Sequence, residues 1–158
     1  MFKKIMVCLD GSELAEQILP YAAEQARHFN SDVVMFQAIT KTDAVSIPKT
    51  PTGETLPQAA QPSLETALSE SDEAKEYLSK QASKLRHKGL HVQTVAIFDP
   101  VPGKAIVEYA WEHDIDLITM ATHGRGGISR AISGSVADHV LRESRLPILM
   151  IRPRESQG

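Results

Sequence analysis

Ile5-Met6-Val7-Cys8-Leu9-Asp10-Gly11-Ser12 decides the fold. Its five leading residues form an unbroken apolar run, which suits a strand buried on both faces of a parallel sheet. Asp10-Gly11 stops the run, and Ser12 is placed to cap a helix with apolar positions Leu14, Ile18, Tyr21, Ala22 and Phe29. Asn30 can close that helix in the left-handed conformation. Val33 to Ile39 then reads as a second buried strand.

The alternation continues beyond an interruption. Residues 40–63 hold Pro48, Pro51, Pro57, Pro62 and Gly53, which exclude a regular element and mark a Pro-rich insertion loop. A loop of that length in a compact domain is functional or disordered. A helical pattern follows on Leu64, Ala67, Leu68, Ala74, Leu78, Ala82 and Leu85, ending near Gly89. Val92 to Phe98 is a third strand. Pro102 suits the first turn of a helix carrying Ile106, Tyr109, Ala110 and His113. Leu117 to Ala121 is a fourth strand, and a Gly-rich loop leads into a helix through Val136, Ala137, Val140 and Leu141. Ile148 to Ile151, after Pro147, is the last strand.

The order βαβαβαβαβ predicts a doubly wound, open, five-stranded parallel sheet of α/β class with helices on both faces. Ligands of such sheets bind beyond the carboxyl ends of the strands, where the strand order reverses. That rule brings together Asp10-Gly11, the end of the second strand near Ala38 and the loop after Ala121.

Composition narrows the function classes. At 158 residues, the chain is read as one domain, 1–158. A net charge of −3 gives no electrostatic case for nucleic acid or an anionic membrane. No apolar stretch approaches the roughly 20 residues that span a bilayer, so membrane insertion is not expected. The basic start Met1 to Lys4 precedes an apolar run too short for a secretory signal. Cys8 is the single cysteine, which precludes an internal disulfide and fits a reducing, cytoplasmic setting.

The segment Met120 to Ser135 carries the chemistry. Gly124, Gly126 and Gly127 fall within four positions and let backbone N–H groups converge on an anion. Gly134-Ser135 opens the final helix, whose first N–H groups lack internal partners. The Ser135 hydroxyl can donate to a phosphate, and Arg125 and Arg130 can add charge. A tight turn without a ligand explains the same glycines. The P-loop pattern, G-x-G-x-x-G, G-x-S-x-G, H-E-x-x-H and paired Cys ligands are missing.

The chain resembles the universal stress protein family, whose fold is related to adenine nucleotide α-hydrolases. The likeness rests on Lys4 to Ser12, on Asp116 to Met120, and on Thr122-His123-Gly124 through Gly134-Ser135-Val136-Ala137 to Pro147-Ile148-Leu149-Met150. ATP-binding members carry G-x-x-G-x9-G-S/T. Gly124, Gly134 and Ser135 fit that spacing, and Ala121 stands at the first position. The resemblance implies that Asp10 sits near the adenosine or a metal. It implies that Cys8 and Ala38 line the adenine pocket and that Met120 and Ala121 flank the ribose. Gly124, Arg125, Gly134, Ser135 and Val136 would surround the phosphates of ATP, ADP or AMP. A Mg ion would bridge those phosphates with few direct protein ligands.

Bland readings stand beside these. Asp10 can cap the following helix, Cys8 can be a small core residue, and His123 can be a turn residue. His113 is read as a helix-end residue and His139 as a helix-surface one. Glu70, Asp72, Glu73 and Glu76 form an acidic, solvated helix start. The last strand, 148–151, raises a homodimer if it lies at the sheet edge, as family members commonly pair. Three functions follow: a nucleotide-binding regulatory module in stress response that acts through a protein partner, a nucleotide-independent dimeric interaction protein, and an ATP-cleaving enzyme. The last is disfavoured because no general base or nucleophile is evident near the loop, so hydrolysis is expected to be slow or absent.

Overall fold

The computed structural model describes residues 1–40, 64–122 and 135–154, with 64–69 described by backbone only. The elements run β1 (Lys4–Cys8), α1 (Glu13–Glu16), α2 (Leu19–Phe29), β2 (Asp32–Ile39), α3 (Leu64–Arg86), β3 (Val92–Phe98), α4 (Pro102–Glu112), β4 (Leu117–Ala121), α5 (Ser135–Glu143) and β5 (Ile148–Ile151). All five strands pair in parallel, in the order β3-β2-β1-β4-β5. The chain winds outward through β2 and β3 on one side of β1, then crosses to β4 and β5 on the other. The strand order therefore reverses between β1 and β4, where a parallel sheet opens a crevice at its carboxyl end.

Side-chain alternation along the strands splits the core into two layers. Ile5, Val7, Val33, Met35 and Leu117 pack with Ile18, Ala22, Ala26, Leu78, Ala82 and Leu85 on the face covered by α1, α2 and α3. Met6, Cys8, Val34, Phe36, Ile118 and Met120 pack with Ile106, Tyr109, Ala110, Ala137 and Val140 beneath α4 and α5. Thr119 is fully buried in β4, and its hydroxyl donates to the Met6 carbonyl at 3.1 Å. Asp116 ties the start of β4 to β1: its Oδ2 accepts from the backbone N–H groups of Lys3 at 2.8 Å and Lys4 at 2.9 Å.

The first helix departs from its sequence pattern. The stretch after Ser12 divides into α1 and α2, because Pro20 has no N–H and its ring conflicts with the carbonyl four residues earlier. Gln17 and Ile18 instead donate to Leu14 and Ala15 at 3.3 and 3.2 Å, a tighter turn that resets the helix axis. Tyr21 consequently points outward, 54% exposed, rather than joining Ile18 and Ala22 in the core. Asn30 closes α2 in the left-handed conformation at φ 52°, as its residue type suggests. Most of the Pro-rich stretch 40–63 lies outside the described residues.

Candidate functional site

A cleft of about 700 Å³ opens at the carboxyl ends of β1, β2 and β4, within the size range of small-molecule sites. Its floor is built from the turn after β1. Gly11 adopts φ 83°, a conformation that favours glycine, and lets the chain fold back toward α1. Asp10 Oδ1 accepts from the Ser12 N–H at 2.9 Å and from the Ser12 hydroxyl at 2.6 Å. Ser12 Oγ in turn accepts from the Ala15 N–H at 3.1 Å and caps α1. The Asp10 carboxylate thus shapes the turn as well as lining the cleft.

Seven of the residues marked in the sequence converge here: Cys8, Asp10, Ala38, Met120, Ala121, Ser135 and Val136 all line the cleft. Gly124, Arg125 and Gly134, with His123, lie outside the described residues. Cys8, Ala38 and Met120 arrive from three neighbouring strands on the α4–α5 face and give one wall a smooth apolar surface. Ser135 and Val136 bring the first turn of α5 to the same wall, where its N–H groups lack helical acceptors. Burial pushes the Cys8 thiol up to about 12, so it stays protonated near neutral pH and behaves as a small core residue.

The opposite wall was not read from the sequence. Gln37 and Tyr77 line it, along with Ala15, Ala74 and the acidic residues Glu70 and Glu73 at the mouth. Gln37 was visible as the one polar residue in the Val33–Ile39 run. Tyr77 is hidden in the helical pattern of α3, where an aromatic reads as core. Glu70 and Glu73 thus line the cleft while Glu73 remains exposed, as the reading of a solvated acidic stretch expects. The Tyr77 hydroxyl is held well above the ordinary tyrosine range, first by burial and then by the carboxylates of Glu16 and Asp10. Glu16 lies close enough to oppose ionisation, yet its geometry with Tyr77 Oη makes no regular hydrogen bond.

The seam between α4 and α5 sets where the α5 wall stands. A Cβ on Gly103 would lie 2.8 Å from His139 Cβ, so glycine is what allows this approach. His139 is therefore part of the helix seam, half-buried, and not the surface residue its position suggested. Among the described residues, no group of three His, Cys, Asp or Glu side chains could hold a metal ion. Likewise, no described helix is long and apolar enough to cross a membrane.

A family model described as the universal stress protein family matches residues 1–152. The chain belongs to that family. Among curated relatives, universal stress protein MJ0531 of Methanocaldococcus jannaschii is 26% identical over 152 residues, covering 96% of this chain and 83% of the relative. The solved structure of MJ0577 superposes with a TM-score of 0.77 over 99% of both chains at 23% identity, a likeness of fold. A universal stress protein from Archaeoglobus fulgidus, solved in complex with dAMP, is 25% identical, with a TM-score of 0.64 over 96% of this chain and 98% of that one. The parallel pairing of all five strands in this universal stress protein is the one expected from its alternating sequence.

Proposed function

We propose that this chain binds an adenine nucleotide, ATP or a close relative, and that the bound nucleotide sets a state read by a protein partner in stress response. One observation carries the reading: the cleft at the strand-order reversal joins an apolar wall from three strand ends to the first turn of α5. An apolar slot suits a base, and a helix N-terminus suits phosphate. The A. fulgidus relative in complex with dAMP supports the same ligand class.

The residues take roles accordingly. Cys8 and Ala38 flank the adenine, partly through backbone groups, and Met120 and Ala121 face the ribose. Ser135, Val136 and the α5 amides hold the phosphates, with Gly124, Arg125 and Gly134 completing the cradle. Asp10 orients the adenosine or approaches a phosphate-bound Mg ion, which takes most of its ligands from phosphate and water. Ala121 keeps the backbone N–H that glycine would offer at that position, while its methyl narrows the backbone freedom.

Thermal unfolding with ATP–Mg, AMP and no ligand tests this reading. Ligand at 100 times its Kd adds about 2.7 kcal/mol to stability. For a chain of this size that is a rise in Tm of about 5–10 °C. No shift at millimolar nucleotide, and no nucleotide released on denaturing the purified protein, would overturn it.

A second reading attaches to β5. Among the described residues it is an edge strand whose Ile148–Ile151 side chains are half-buried, leaving apolar surface and one row of backbone groups unmatched by a further strand. Pairing with a second copy through this edge gives a two-fold dimer, compatible with nucleotide binding or independent of it. A monomeric mass by light scattering at micromolar concentration would count against it.

A further inference from the structure

Among the described residues, two buried side-chain polar atoms lack a hydrogen-bond partner, Gln37 Oε1 and Tyr77 Oη. Both belong to side chains that line the same cleft. Each unmet group weakens the folded chain relative to a paired one, and groups left so call for an explanation. The two are chemically complementary as a pair: the amide oxygen accepts, and the phenol, kept protonated by burial and then by Glu16 and Asp10, donates.

Their placement is on the far side of the sheet end from the phosphate cradle. Gln37 shares the α1–α3 face with Val33 and Met35, whereas Ala38 faces α4 and α5. Gly11 keeps the space beside the Gln37 amide open: a Cβ there would stand 3.7 Å from Nε2. Both unpaired atoms are covered, so meeting a ligand requires the two side chains to turn into the cleft they line.

We propose that Gln37 and Tyr77 are the recognition pair for the base, Gln37 Oε1 accepting from an amino group and Tyr77 Oη donating to a ring nitrogen beside it. The inference rests on the nucleotide reading above and adds the residues that would select adenine. Hypoxanthine presents an acceptor where adenine has its amino group and a donor at the adjoining nitrogen, so pairing with it requires the Gln37 amide to turn over and Tyr77 Oη to accept instead of donate. The cost of holding two groups unpaired is relieved when the ligand arrives, a stability sacrifice of the kind found at binding sites.

The test uses the full chain and three variants, Gln37→Met, Tyr77→Phe and the double variant. Calorimetric titration with ATP and with ITP is read beside Tm without nucleotide. The expected result is an unchanged or raised Tm, because an unpaired polar atom has been replaced by an apolar one. ATP affinity falls about tenfold per lost bond, equivalent to about 1.4 kcal/mol, and the preference for ATP over ITP narrows. Tyr77→Phe removes a single hydroxyl and keeps the test valid should Gln37→Met fold poorly. A lowered Tm with unchanged ATP affinity would make the pair structural and overturn the inference. Variant affinities within twofold of wild type would overturn it too, leaving the nucleotide reading intact. A wild-type chain that binds neither nucleotide would overturn both.

Discussion

Replacing Gly103 with alanine tests how the α5 wall of the cleft is positioned. The added Cβ would meet His139 Cβ at 2.8 Å, Cγ at 3.0 Å and Cδ2 at 3.1 Å. The nearest contact is with a Cβ, which the backbone of α5 fixes, so no rotamer change of His139 relieves it. The helices must move apart or tilt by several tenths of an ångström. Overpacking of this kind costs about 1–3 kcal/mol, against a helix-propensity gain for alanine of at most about 1 kcal/mol. That gain is smaller in the first turn, where Gly103 lies. The net expectation is a loss of about 1–2 kcal/mol, or a Tm lower by about 2–8 °C, measured by calorimetry without nucleotide. Gly103→Ala with His139→Ala recovers only part of the loss, since the ring contacts go and the Cβ contact stays. Nucleotide affinity should fall in Gly103→Ala because Ser135 and Val136 move with α5. A Tm equal to or above wild type would refute the reasoning, showing that propensity outweighs the seam.

Other outcomes follow from single residues. With its pKa raised from 9.0 to about 12, Cys8 should resist iodoacetamide at pH 8 in the native chain and react at once in denaturant, as read by mass spectrometry. The same shift makes the native state the better proton binder, so this contribution to stability is whole below pH 9 and is lost as pH rises toward 12; Cys8→Ala should flatten that part of the stability–pH curve. Asp116→Ala removes the acceptor of the Lys3 and Lys4 amides and should lower stability by about 1–2 kcal/mol in urea unfolding. Ala121→Gly should tighten ATP binding several-fold in calorimetric titration, by freeing the backbone next to the cradle; an unchanged or weaker affinity would remove Ala121 from the site.

The sequence made the sheet legible because its strands are buried on both faces and read as unbroken apolar runs, as in Ile5–Leu9 and Leu117–Ala121. Alternation with helices then dictated parallel pairing, and the strand-reversal rule drew together Asp10, Ala38 and the chain after Ala121, while the family resemblance implied Cys8, Met120 and Ser135; all of these line one cleft. What escaped depends on contacts distant in the chain. Tyr77 and Gln37 meet the same cleft from α3 and β2, and periodicity assigns one to core and the other to strand without reporting a missing partner. Gly103 lies across a seam from His139, thirty-six residues on, and nothing in the helical pattern of either segment announces the close approach. The spacing of Leu14, Ile18, Tyr21 and Ala22 by itself describes one continuous helix, and it does not register the break that Pro20 imposes between α1 and α2. Tyr21 was misplaced as a result.

A crystal structure of the full chain grown with ATP and Mg tests the central claim most directly. The account predicts the base against Cys8 and Ala38, the ribose at Met120 and Ala121, and the phosphates at the first turn of α5 against Ser135. ATP bound elsewhere on the surface, or a cleft holding only water at millimolar ATP, would contradict it.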